Sequence, residues 1–396
     1  MSGSLLTLVV AGVASFFMAW AIGAGSSGST PFAPAVGANA VSVMRAGFLV
    51  GILGFLGATL QGANVSEAVG RELIRNVQLS PLAATTGLLT AAGLVAIGVF
   101  TGYPIATAFT VTGAIVGVGL ALGGAPAWSK YQQIAALWVA TPFVGGGAAY
   151  ATARFLRSEN VAERVAIPLL GGLVGLIVAN IEFVLLGPPG ESASLSVAAG
   201  NELSLPAVAG FDVGPLLTSL VVTAGAVALL RRQLVTDRAR GQRRFLLALG
   251  GLVAFSAGGS QVGLAIGPLL PLLDPFSIPL PAVLVGGGLG LLAGSWTGAP
   301  RMIKALAQDY SALGPRRSIA ALIPSFAIAQ SAVFFGIPVS FNEIIVSAIV
   351  GSGYAASDGG VSGRKMLFTV LAWIASLALA FGAGYGIFVL ISTVVG

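Results

Sequence analysis

The sequence predicts an all-α polytopic membrane protein of about twelve transmembrane segments, with an inverted-topology repeat and broken or re-entrant helices. Three observations carry that prediction. Apolar residues fill 56% of the 396 positions and charged residues only 8%, where a soluble domain devotes roughly a quarter to charge. The apolar residues gather in runs of about 20, the length that crosses a bilayer as a helix. Two short motifs then recur at a single spacing of 234 residues. The composition alone excludes an ordinary soluble enzyme, a disordered chain and a nucleic-acid binder.

The first five runs fall at 4–23, 46–66, 82–101, 103–124 and 132–153. Two follow at 164–187 and 207–230, and five more at 245–270, 279–299, 318–336, 337–355 and 366–393. The first lacks an evident cleavage site and is expected to stay in the mature chain. Gly and Pro, 57 and 20 in all, interrupt several runs, so some spans are expected to be short or re-entrant. Neither Cys nor His occurs anywhere. Disulfides, thiolate metal sites, the usual zinc site and a histidine base are therefore excluded, and no enzyme, resident metal or cofactor is expected.

Arg and Lys set the orientation. The segment 231–244 carries Arg231, Arg232, Arg238, Arg240, Arg243 and Arg244 against Asp237. Arg154, Arg157 and Arg164 form a second basic cluster, Arg301, Lys304, Arg316 and Arg317 a third, and Arg364 and Lys365 a fourth. The connection 188–206 instead carries Glu191 and Glu202 with no base. Basic loops stay inside. The four clusters then face the cytoplasm, and the acidic loop and both termini lie outside, in a multi-pass protein of the cell membrane. Arg71 and Arg75 fall outside, offset by Glu67 and Glu72. Trp20, Trp128, Trp138, Trp296 and Trp373 stand near expected span ends and read as interfacial anchors.

Residues 101–121, TGYPIATAFTVTGAIVGVGLA, recur as 335–355, FGIPVSFNEIIVSAIVGSGYA. The same spacing places Ala24-Gly25-Ser26 over Gly258-Gly259-Ser260. Each motif pair sits in a five-span half, with two spans between the halves. The expected division is 1–155 as the first transmembrane repeat, 156–244 as two linker helices with loops, and 245–396 as the second repeat. Five plus two is odd, so the second half enters the bilayer in the opposite sense. That is the construction of secondary transporters, whose substrates bind near mid-membrane at broken helices.

The motifs supply the candidate site. Segments 21–31, AIGAGSSGSTP, and 255–268, FSAGGSQVGLAIGP, end apolar runs in small and hydroxyl residues. A helix broken there exposes N–H groups that favour an anion, with Gly25, Ser26, Ser27, Ser260 and Gln261 as candidate binders. In the second motif class, Pro104 and Pro338 are expected to open helices. Thr107, Ser340 and Asn342 then lie just past each start. Glu343 is an acid in an apolar stretch, hence a candidate carrier of a coupling ion. Asn64 and Glu67 are further candidates, because Gln61, Asn64 and Glu67 are spaced to share a helix face.

These residues resemble the inorganic phosphate transporters of the PiT type over both halves, about 300 residues. That family's His-Gly-Ala-Asn-Asp-Val-(Ala/Ser)-Asn-Ala-Ile-Gly-Pro string is similar to Ala257-Gly258-Gly259-Ser260-Gln261-Val262-Gly263-Leu264-Ala265-Ile266-Gly267-Pro268. Its Gly-Phe-Pro-Ile-Ser-Thr-Thr-His string resembles Gly102-Tyr103-Pro104-Ile105-Ala106-Thr107-Ala108-Phe109 and, again, Gly336-Ile337-Pro338-Val339-Ser340-Phe341-Asn342-Glu343. The paired Asn-Asp groups that the resemblance implies for phosphate and sodium are replaced by Ser26 and Ser27 in one half and by Ser260 and Gln261 in the other. Segment 22–26 also looks like the variant in the family's sulfate permease branch.

The resemblance implies a secondary active transporter of inorganic phosphate working by alternating access, coupled to Na+ or H+. Sulfate or a related oxyanion is the alternative substrate, and an anion channel a more distant one. The partners expected are that anion and the lipid bilayer, with a homo-oligomer left open and no nucleic acid.

Overall fold

The computed structural model describes residues 5–187, 192–205, 207, 210, 212–355 and 361–395. Glu191 of the acidic loop lies outside them. Apolar runs become helices because lipid offers no partner to a bare backbone N–H or C=O. The first seven are α1 (Leu5–Gly25), α2 (Ala33–Gly37), α3 (Val43–Gln61), α4 (Ala63–Arg71), α5 (Pro81–Thr101), α6 (Thr107–Ala121) and α7 (Trp128–Leu156). Then come α8 (Glu163–Asn180), α9 (Leu195–Glu202) and α10 (Val213–Thr236). The last seven are α11 (Arg238–Ile266), α12 (Leu270–Leu273), α13 (Leu280–Thr297), α14 (Ala299–Gln308), α15 (Pro315–Phe334), α16 (Phe341–Tyr354) and α17 (Gly363–Val395).

Among the described residues, 10 helical segments are long and apolar enough to cross a membrane. Helices α6 and α16 have only 15 and 14 residues. At 1.5 Å per residue they reach about 22 Å, short of the ~30 Å hydrocarbon layer. Non-helical stretches at 103–106 and 337–340 lead into them, which makes twelve crossings, two of them part helix and part extended chain.

The two halves are copies. Pro81 and Pro315 open helices 234 residues apart, as do Thr107 and Phe341. Packing obeys the same exchange: α1 lies on α13 and α5, while α11 lies on α3 and α15. Likewise α6 packs on α17, and α16 on α7. The halves interlock because glycine lets backbones touch. A Cβ on Gly57 would overlap the Phe255 carbonyl, and one on Gly258 the Gly54 carbonyl. In the mirrored helix pair, α1 on α13, Gly23 meets Leu291 and Gly294 meets Trp20 in the same way.

Polar contacts sort the two membrane faces. On the expected inner face, Glu163 accepts hydrogen bonds from Arg238, Gln242 and Arg316, joining three of the basic clusters. Lys365 meets Asp309 at 2.5 Å. On the expected outer face, Arg71 lies 3.0 Å from both Glu67 and Asp274, and Lys130 lies 2.7 Å from Glu72. The ribbon of β1 (Ile74–Arg75) and β2 (Ala125–Pro126) closes the same face. A second ribbon, β3 (Glu182–Phe183) with β4 (Ala193–Ser194), tops the linker pair α8 and α10.

Four expectations change. The stretch 255–266 is unbroken helix, and α11 yields only at Gly267, where a 3₁₀ turn begins. The second span does break, at Gly62 between α3 and α4, where an added Cβ would meet Ala58, Leu284 and Val262 at 2.5 Å. Pro104 and Pro338 precede their helices by three residues, because the preceding Gly102 and Gly336 have left-handed φ of 77° and 59° that turn the chain back. Trp138 and Trp373 are buried, not interfacial.

Candidate functional site

The two short helices start inside the protein, in regions joined by Gln261 and Asn342. Their first intrahelical bonds are Thr110 N–H to Ala106 O and Ile344 N–H to Ser340 O. The N–H groups of residues 107–109 and 341–343 are therefore without acceptors inside their helices. Neither start is capped by a side chain: Ala106 has no oxygen to offer, and Ser340 makes no capping bond.

Gln261 of α11 bridges them. Its Nε2 donates to Val339 O at 2.5 Å, just before α16, and its Oε1 accepts from Thr107 Oγ1 at 2.8 Å, at the start of α6. Ser26 Oγ joins the same Oε1 at 3.2 Å, and Thr107 lies 3.3 Å from Ser26 Oγ. Asn342 Nδ2 donates to Gly25 O at 2.9 Å and to Ile105 O at 2.7 Å. The break after α1 thus meets both short helices. Gly25, Ser26, Ser27, Thr107, Ser260, Gln261, Ser340 and Asn342 are all buried, and the hydrogen bonds join five of these eight directly.

Several polar atoms in this region make no hydrogen bond: Ser260 Oγ, Ser340 Oγ, Asn342 Oδ1 and Glu343 Oε2. Glu343 is 1% exposed. A buried polar group left unpaired costs about 1–3 kcal/mol. Four of them beside two uncapped helix starts form a cradle with donors for an anion and acceptors for a hydroxyl.

Asn64 and Glu67 are placed elsewhere. Asn64 is exposed and donates to Val333 O at 3.4 Å, on the wall of an outward cavity of about 210 Å3. Glu67 is in the outer-face pair with Arg71. Gln61 lines the same cavity as Asn64, deeper in the protein.

That cavity leads toward the cradle. Gln61 Nε2 donates to Glu182 O at 2.7 Å, and Gln330 Nε2 reaches both Gln61 Oε1 at 3.2 Å and Ser256 Oγ at 2.6 Å. Ser256 lies one helical turn from Ser260. The repeat-related positions on the inner side are Ser295, Ala96 and Ile22. The outer approach is therefore polar and the inner one nearly apolar.

Sequence reasoning missed Gln330 and the two buried tryptophans. Gln330, a polar residue within an apolar span, was its own signal. Trp138 Nε1 donates to Pro338 O at 2.9 Å and Trp373 Nε1 to Pro104 O at 2.8 Å, each half closing the other's re-entrant stretch. Their spacing of 235 residues, one more than the repeat, was visible in the sequence.

Known proteins agree with this architecture. The chain is 25% identical to "Inorganic phosphate transporter 2-1, chloroplastic" of Arabidopsis thaliana, over 91% of this chain and 68% of the relative. It is 25% identical to a protein of Pyrococcus furiosus named as a phosphate permease, over 92% and 91%. A solved structure titled "The sodium-dependent phosphate transporter" has the same fold, with a TM-score of 0.80 at 22% identity over 98% of this chain and 100% of that one. The model of the phosphate transporter family matches residues 7–384, and the chain belongs to that family.

Proposed function

We propose that the chain is a secondary transporter that carries inorganic phosphate across the membrane by alternating access, with the anion bound between the starts of α6 and α16. As a transporter it is not an enzyme. The observation that carries the site is the pair of buried, uncapped helix starts bridged by Gln261. Such starts present N–H groups and a positive dipole end to an anion. Residues 1–155 and 245–396 are the two repeats that rock against each other, and 156–244 is the linker.

The free acceptors favour phosphate over sulfate. Asn342 Oδ1 and Glu343 Oε2 lie in the first turn of α16 without donors. Hydrogen phosphate brings one P–OH, which can donate to Asn342 Oδ1, whereas sulfate has none and would leave that oxygen unpaired. Loss of the family's Asn-Asp pairs is thereby offset on the other side of the cradle.

Glu343 is proposed as the coupling group. As a carboxylate it would repel a divalent anion bound to the same helix start; protonated, it can donate to that anion. Anion and proton then bind and leave together. The test is uptake of radiolabelled phosphate and sulfate into proteoliposomes, each under imposed proton and sodium gradients. Phosphate accumulation driven by the proton gradient supports the reading. Sulfate accumulation that phosphate barely inhibits contradicts the substrate assignment, and accumulation driven by sodium alone contradicts the role of Glu343.

A further inference from the structure

A groove of about 790 Å3 separates the linker pair from the transport body, between α8 and α10 on one side and α3 and α11 on the other. Its walls are apolar, including Leu53, Val174, Val222, Leu252 and Phe255. Gln233 and Arg244 are its two polar lining residues, and both stand at the inner end. From Arg244 to Phe255 α11 rises about 16 Å at 1.5 Å per residue, close to half of the ~30 Å hydrocarbon layer. The groove is therefore one leaflet deep.

Its mouth carries one base, Arg244. Asp237 caps α11 by accepting from Arg240 N–H at 3.0 Å, turning the chain so that the ends of α10 and α11 stand side by side. Arg244 is exposed there, and among the described residues it has no acidic partner; Arg231 and Arg232 are exposed at the end of α10 but do not line the groove. The neighbouring arginines are engaged: Arg238 with Glu163, Arg243 with Ala40 O, and Arg240 with Asp237.

We propose that this groove holds an anionic phospholipid of the inner leaflet, with an acyl chain along the apolar walls and the phosphate headgroup at Arg244. The depth fits a lipid of one leaflet, whereas a neighbouring transmembrane helix would need the full bilayer. Basic pockets between helices on the inner side are suited to acidic headgroups.

The test is native mass spectrometry of the full chain in detergent, titrated with phosphatidylglycerol or phosphatidylcholine. Phosphatidylglycerol should be retained in preference. The Arg244→Gln variant should lose that preference by about fivefold. Ala248→Trp, which fills the groove from an exposed position on its wall, should lose bound lipid of either kind. Size-exclusion profiles matching the wild type confirm that both variants fold. Equal retention of the two lipids by the wild type, unchanged preference in the arginine variant, or a dimer that Ala248→Trp abolishes would each overturn the proposal.

Discussion

Trp373 of the last helix donates its indole N–H to the carbonyl of Pro104, 2.8 Å away and 269 residues earlier. The bond holds the stretch that aims α6 at the cradle, and Trp138 does the same for Pro338 and α16. Trp373→Phe keeps most of the ring but leaves the Pro104 carbonyl buried and unpaired, at a cost of about 1–3 kcal/mol. The variant should melt several degrees lower in detergent, and Trp138→Phe should do likewise. Unchanged melting in both would show that the two bonds add nothing.

Gln261 is the residue both short helices share. Gln261→Leu leaves Thr107 Oγ1 and Val339 O without their partner and removes the bridge. Phosphate uptake at saturating substrate should fall by at least tenfold, about 1.4 kcal/mol or more in the transport barrier. Asn64→Ala on the cavity wall should leave the maximal rate within a few-fold of wild type. Equal losses in the two variants would place the substrate in the outer cavity.

Glu343→Gln removes the titrating group and keeps the volume. The variant should still exchange phosphate down its gradient but should no longer accumulate it against one when a proton gradient is imposed. Across pH, wild-type uptake should rise as the medium is acidified, and the variant's should follow only the charge state of phosphate. A variant with undiminished proton-driven accumulation would remove Glu343 from coupling.

Gly102 and Gly336 turn the chain with φ of 77° and 59°. Gly102→Ala meets no neighbouring atom within 4 Å, so its effect isolates backbone strain, about 1 kcal/mol. Gly57→Val instead drives a side chain into the Phe255 carbonyl and should abolish folded protein in the membrane. Similar expression and melting of the two variants would mean that the α3–α11 contact is soft.

The fold was legible because lipid restricts the options. Long apolar runs become helices, arginines choose the side, and a repeat of Gly-x-Pro at one spacing marks two inverted halves. The breaks were less legible, because glycine serves both hinges and close packing. Gly258 and Gly259 read as a hinge, yet an added Cβ on Gly258 would overlap Gly54 and one on Gly259 would meet Gln61 at 2.9 Å: they are packing glycines in an unbroken helix. Ser26, Thr107, Gln261 and Asn342 were found because polar residues stood out in an apolar background. Their partners across 235 and 154 residues were not, since sequence spacing does not reveal which helices touch. Asn64 and Glu67 failed to join them because they lie outward of the cradle, Asn64 on the cavity wall beside Gln61 and Glu67 paired with Arg71.

The anion is proposed to lie between the starts of α6 and α16. Equilibrium binding of radiolabelled phosphate to the purified, folded chain tests it directly, comparing wild type with Thr107→Val and Asn342→Leu. Phosphate binding should be saturable and weakened about tenfold or more in each variant (about 1.4 kcal/mol), with sulfate a poor competitor. Phosphate binding unchanged in both variants would contradict it.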